Sequence, residues 1–206
     1  QMNRRLGQSF AGLGRSLVGA FAAGFTAREL KELSDAATRI DNSLKVAGLS
    51  GAELEKVYGQ LRDSAIANAA PLEALVKLYG SAALAQKELN VTQQEMVNCS
   101  NNVAVALRVS GKSSEESRGA LIQLSQAIGA GIVRAEEFNA ILEGALPIAQ
   151  AAAAGLEEAG GSVANLRRLI IDGKVSSEAF FRAFEAGAYT LREKVAGAQF
   201  TVSQAL

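Results

Sequence analysis

Acidic side chains stand in three adjacent pairs, Glu115-Glu116, Glu136-Glu137 and Glu157-Glu158. Two carboxylates can divide general acid–base work only if both reach the same substrate. Adjacent residues on a helix point about 100° apart, so these pairs diverge and read as solvated helix starts. Lys112 and Lys174 follow turn glycines, but neither sits in phosphate-loop spacing. Arg167-Arg168 is too short to be a basic patch. Cys99 lies on the apolar stripe of a helix and reads as a small buried hydrophobe. With no His in the chain, a Ser or Thr nucleophile would lack its usual base. No His and a single Cys also exclude the common zinc and haem ligand sets. The reading is therefore no enzyme, with no catalytic, cofactor or metal residues.

Composition narrows the class further. The 206 residues carry 21 Lys+Arg against 21 Asp+Glu. Without a basic excess the chain is a poor partner for nucleic acid, whose binding rests on neutralised phosphates. One cysteine forms no internal disulfide, so nothing points to an oxidising compartment. Alanine is abundant, at 39 residues, beside eight Phe and three Tyr, which predicts a core of Ala, Leu and Val. The uncharged runs at residues 16–27 and 145–156 fall short of the ~20 residues a bilayer span needs. Arg4-Arg5 ahead of an apolar stretch imitates a secretory signal, but Arg15 and five glycines interrupt it.

Helix signals run from end to end. Five capping boxes can be read: Thr26…Glu29, Ser50…Glu53, Thr92…Glu95, Ser113…Glu116 and Thr190…Glu193. Apolar residues then recur at helical spacing. Leu30, Leu33, Ala37, Ile40 and Leu44 form one stripe, and Leu54, Val57/Tyr58, Leu61 and Ala65 a second. Pro71 fits the N1 position of a third helix, with Leu72, Leu75, Tyr79 and Ala82 facing inward. Met96, Cys99, Val103 and Ala106/Leu107 mark a fourth, and Leu121, Leu124 and Ile128 a fifth. Strand-like alternation is absent. The expectation is an all-α multi-helix bundle of helical hairpins, with turns at Gly48–Gly51, Asn90, Gly111, Gly129–Gly131, Gly160-Gly161 and Gly173.

An eight-residue echo links two of those turns. Gly131 to Phe138 and Gly173 to Phe180 both read G-x-V-x-x-E-x-F. Each copy stops a helix at Gly, then opens another with acid near its positive end. Two similar hairpins built by the same capping physics account for it, since one recurrence makes no solenoid.

Residues 1–25 differ in texture from residues 26–206, and we separate them as a Gly/Ala-rich amphipathic helical segment. Leu6, Phe10, Leu13, Leu17, Phe21 and Phe25 share an apolar face, while Gly12, Ser16, Ala20 and Gly24 form a small-xxx-small row. Interior Gly costs roughly 1 kcal/mol relative to Ala, so this segment needs a partner surface. That surface is its own domain, other copies or a tube wall, or a membrane. The candidate contact residues are Phe10, Gly12, Ser16, Leu17, Ala20, Phe21, Gly24 and Phe25.

Through the runs Pro71-Leu72-Glu73-Ala74-Leu75, Leu89-Asn90-Val91-Thr92-Gln93-Gln94-Glu95 and Ala106-Leu107-Arg108-Val109-Ser110-Gly111, the chain from about residue 30 onward bears a resemblance to the amino-terminal domain of phage tail tape measure proteins. It is most specific from Leu121-Ile122-Gln123-Leu124-Ser125-Gln126-Ala127 through Val133-Arg134-Ala135-Glu136-Glu137-Phe138-Asn139. Gly144-Ala145-Leu146-Pro147 departs from the family pattern by placing Leu146 directly before the proline.

The resemblance implies a structural protein of a phage or phage-like particle, of which several copies, three by family likeness, line the tail lumen and set tail length. It implies contacts with the tail tube protein, tail tip and distal tail proteins and tail assembly chaperones, but no nucleic-acid specificity. It places the protein in the tail lumen of the virion, and in the host cytoplasm during assembly. Members run to many hundreds of residues, so this chain is expected to be part of a longer protein. Drawn out as one helix it would span about 310 Å, whereas its turns specify a folded head, with the measuring rod expected beyond Leu206. The alternative is a membrane-active helical protein inserting, with transient membrane contact, through residues 6–25.

Overall fold

Capping chemistry cuts the chain into helices. The computed structural model describes residues 27–195. These comprise α1 (Ala27–Val46), α2 (Gly51–Asn68), α3 (Leu72–Leu84), α4 (Gln86–Leu89), α5 (Gln93–Ser110) and α6 (Ser114–Gly129). Then follow α7 (Ala135–Gly144), α8 (Leu146–Gly155), a 3-10 turn at Glu157–Ala159, α9 (Val163–Ile171), α10 (Ser177–Gly187) and α11 (Tyr189–Val195). Among the described residues there is no strand, only one isolated antiparallel bridge. The fold is an all-α bundle, as expected.

Two of the expected capping boxes form in full. The Thr92 hydroxyl accepts from the Glu95 amide at 3.3 Å while the Glu95 carboxylate accepts from the Thr92 amide at 2.7 Å. Ser113 and Glu116 repeat this at 3.3 and 2.8 Å. Ser50 is the N-cap of α2, but its side chain makes no capping bond. Thr190 lies inside α11, where its hydroxyl donates to the Gly187 carbonyl. Thr26 falls outside the described residues. Pro71 is the N-cap of α3 rather than its first helical residue. Asn90 (φ 51°) and Gly111 (φ 68°) close α4 and α5 in the left-handed conformation.

The inner faces largely match the stripes. Ile40 and Leu44 of α1 are buried, but Ala37 of the same expected stripe is exposed. Leu54, Val57, Leu61 and Ala65 of α2 are buried, as are Leu75, Tyr79 and Ala82 of α3 and the whole expected stripe of α5. One cluster of buried side chains runs from Ile40 to Leu191.

α8 sits at the centre of this core. Apart from Gln150 it is apolar, with Ile148, Ala149, Ala151, Ala152 and Ala153 fully buried. Leu146 and Pro147 occupy its first turn, where proline costs no hydrogen bond. The partner is α10. A Cβ on Gly155 would collide with the Ala183 carbonyl, and one on Gly187 with that of Ala151. Ala151/Gly155 and Ala183/Gly187 thus form small-xxx-small pairs that bring the two backbones into direct contact.

Candidate interaction site

The echo marks where two helical hairpins meet. Val133 donates its amide to the Val175 carbonyl at 3.1 Å, and Ile132 and Ser176 bridge antiparallel beside them. The two valines occupy the same place in the repeated octapeptide, so equivalent residues of the two copies meet here. The two phenylalanines that end the copies also meet, Phe138 against Phe180 edge to face, 6.3 Å apart at 83°. Capping physics explains each copy, and their mutual packing is what the sequence reading missed. Glu137, one residue after the acid position of the motif, is buried and accepts from the Arg134 amide at 2.9 Å.

A polar corner holds α10 against α4 and α5. Arg182 of α10 donates to both the Glu95 carboxylate and the Asn90 carbonyl. Its target is therefore the cap that already starts α5. Thr92 and Arg182 together hold the Glu95 carboxyl at about 2. Two turns along, Asn102 donates to Glu185 at 2.9 Å, and burial pushes the Glu185 carboxyl up. Burial likewise raises the Cys99 thiol, which suits a core residue rather than a nucleophile.

The remaining polar candidates are structural. Glu115 pairs with Arg118 at 3.2 Å, Lys174 with Asp172 at 3.4 Å, and Lys112 donates to the Glu143 carbonyl. Arg167 donates to the Asn139 side chain at 3.1 Å. Of the acid pairs, Glu136-Glu137 diverges as its spacing predicts, with Glu136 exposed where Glu137 is buried.

Two adjoining open depressions, of about 520 and 460 Å³, form a groove along the carboxy-terminal ends of α3 and α6. Lys77, Arg134 and Glu137 line one end, Glu88 and Glu178 the other. Leu84, 70% exposed, stands between them.

A family model described as tape measure protein matches residues 28–206. The chain belongs to the tape measure protein family. No curated protein and no solved structure matches it. Tape measure membership gives the chain a structural role in a phage tail and a place in the virion among other tail components. The matched region takes in every described residue but Ala27, so the helical core, the echo and the groove all belong to the tape measure domain. The expected contact residues Phe10, Gly12, Ser16, Leu17, Ala20, Phe21, Gly24 and Phe25 lie outside the described residues. Among the described residues, no helix is long and apolar enough to cross a membrane.

Proposed function

We propose that this tape measure domain is the folded head of a tail-length ruler, acting inside the tail lumen. The observation that carries this reading is the family match over a bundle in which, among the described residues, the longest helix has 20 residues. Such a helix spans about 30 Å, so a domain folded this way gives a compact attachment point while extended chain elsewhere in the protein does the measuring. A formal charge of zero suits a lumen through which DNA must later pass, because it holds the domain neither to charged walls nor to phosphates.

In this proposal residues 1–25 form a contact segment separate from the domain. Its row Gly12, Ser16, Ala20 and Gly24, flanked by Phe10, Leu17, Phe21 and Phe25, packs on other copies or on the tail tube wall. The protein assembles as several copies, with tube, tip and chaperone proteins as partners, and enters the virion from the host cytoplasm.

The test is a phage carrying Gly187→Leu in the gene for the full protein. The substitution opens the α8–α10 contact and should leave particles without normal tails while the tube protein is still made. Normal tails from that phage, with the variant protein shown to be unfolded, would refute the head-domain assignment.

A further inference from the structure

The groove beside α3 and α6 holds an apolar knob between two unlike ends. Leu84 projects over a floor of Ala85, Leu89 and Ile128. Glu88 and Glu178 make one end acidic, and neither takes part in an ion pair among the described residues. The other end is mixed, with Lys77 and Arg134 beside the buried Glu137. Residues 1–25 carry a pattern that complements this in sequence. Arg4 and Arg5 come first, the small row Gly12, Ser16 and Ala20 follows, and no charge occurs between Arg15 and Phe25. A row of small side chains on a helix leaves a trough into which a projecting leucine fits.

We propose that the row Gly12, Ser16 and Ala20 of one copy docks on Leu84 of a neighbouring copy. The docked segment runs antiparallel to α3, which lays Arg4 and Arg5 over Glu88 and Glu178. Its closing carbonyls, the negative end of a helix, then point toward Lys77 and Arg134. Distance assigns the groove to a neighbour. α1 and α3 run side by side, since Arg39 pairs with Glu73 at 2.7 Å and a Cβ on Gly80 would lie 4.0 Å from the Ser43 carbonyl. Ala27 therefore stands roughly 35 Å of helical rise from Leu84. A helix from Gly12 to Gly24, with the chain onward to Ala27 fully extended, covers only about 28 Å. The contact is heterologous, a segment given and a groove offered by every copy, so it closes into a ring of three without two-fold symmetry. This inference rests on the reading of residues 1–25 as a contact between copies, and adds the surface they meet.

The experiment is sedimentation equilibrium of the 206-residue chain, which should associate toward three copies as concentration rises. Leu84→Asp blocks the groove, and Ser16→Asp/Ala20→Asp blocks the segment. Each blocked chain alone should associate roughly tenfold more weakly or less. Mixed, the two should form a one-to-one complex, because one keeps the segment and the other the groove, which a misfolded variant could not do. As an independent readout, Ser16→Cys chains mixed with Leu84→Cys chains should cross-link on mild oxidation. Ser16→Cys mixed with Ile66→Cys, equally exposed but outside the groove, should not. Association indifferent to Leu84→Asp, or failure of the blocked chains to pair, would overturn the proposal. Ser16→Cys chains that cross-link only to one another would overturn the groove docking and leave residues 1–25 as a contact between copies. A chain monomeric at every concentration would overturn both.

Discussion

Val133 and Val175 meet through a 3.1 Å backbone hydrogen bond, and they are the same residue of an octapeptide that the chain contains twice. Their flanking phenylalanines meet as well, so the two hairpins lock together through equivalent side chains.

The aromatic half of that lock is measurable. Phe138 and Phe180 are both fully buried, so replacing either with Ala should cost about 3–5 kcal/mol. A double-mutant cycle built from chemical denaturation should return a coupling of about 0.5–1.5 kcal/mol, the range of edge-to-face pairs. Additive losses would mean that the rings touch without interacting.

Backbone contact between α8 and α10 leaves no room for a methyl group at Gly187. Gly187→Ala must separate two central helices, and over-packing of this kind costs about 1–3 kcal/mol or more. With about 2–4 °C lost per kcal/mol in a domain of this size, Tm should fall by several degrees. Gly59 is a contrasting helical glycine with nothing near its absent Cβ. There Gly→Ala should stabilise by about 0.4–1 kcal/mol. Thermal unfolding of the two variants should therefore move Tm in opposite directions.

Two carboxylates at the α5–α10 corner give stability opposite dependences on pH. Glu95 is held at about 2 in the folded chain, below its ordinary 4.5. It therefore stabilises the fold above pH 4.5, and that contribution is lost as pH falls from 4.5 toward 2. Glu185 is raised by burial, so its ionised form opposes folding, and the penalty fades as pH falls below its folded value. Melting curves across pH should show Glu95→Gln destabilised at pH 7 but converging on wild type near pH 2. Glu185→Gln keeps the acceptor for Asn102 and should match or exceed wild-type Tm at pH 7, with the advantage vanishing in acid.

Much of this fold was legible because capping and periodicity are local. Thr92 and Ser113 cap as read, and the buried faces of α2, α3, α5 and α6 follow their apolar spacing. Ser50 and Thr190 carried the same motif without its bonds, since a hydroxyl three residues before Glu can equally make no capping bond or bond back to a carbonyl three residues earlier, as Thr190 does to Gly187. Ala69 ends α2 at φ 50°, a conformation the sequence pattern assigns to Gly or Asn. The α8–α10 crossing was hidden for a different reason. Ala151/Gly155 and Ala183/Gly187 look like ordinary helix composition until two helices distant in sequence are seen to touch. The groove was equally out of reach, because its charged ends come from four separate elements.

The central claim is that this bundle is the head of a ruler. Its most direct test is tail length by electron microscopy, in phage whose tape measure gene lacks about 60 residues of helical chain outside the bundle. A ruler with helical rise predicts tails shorter by roughly 90 Å, with the bundle still required for any tail to form. Tails of unchanged length would contradict the account.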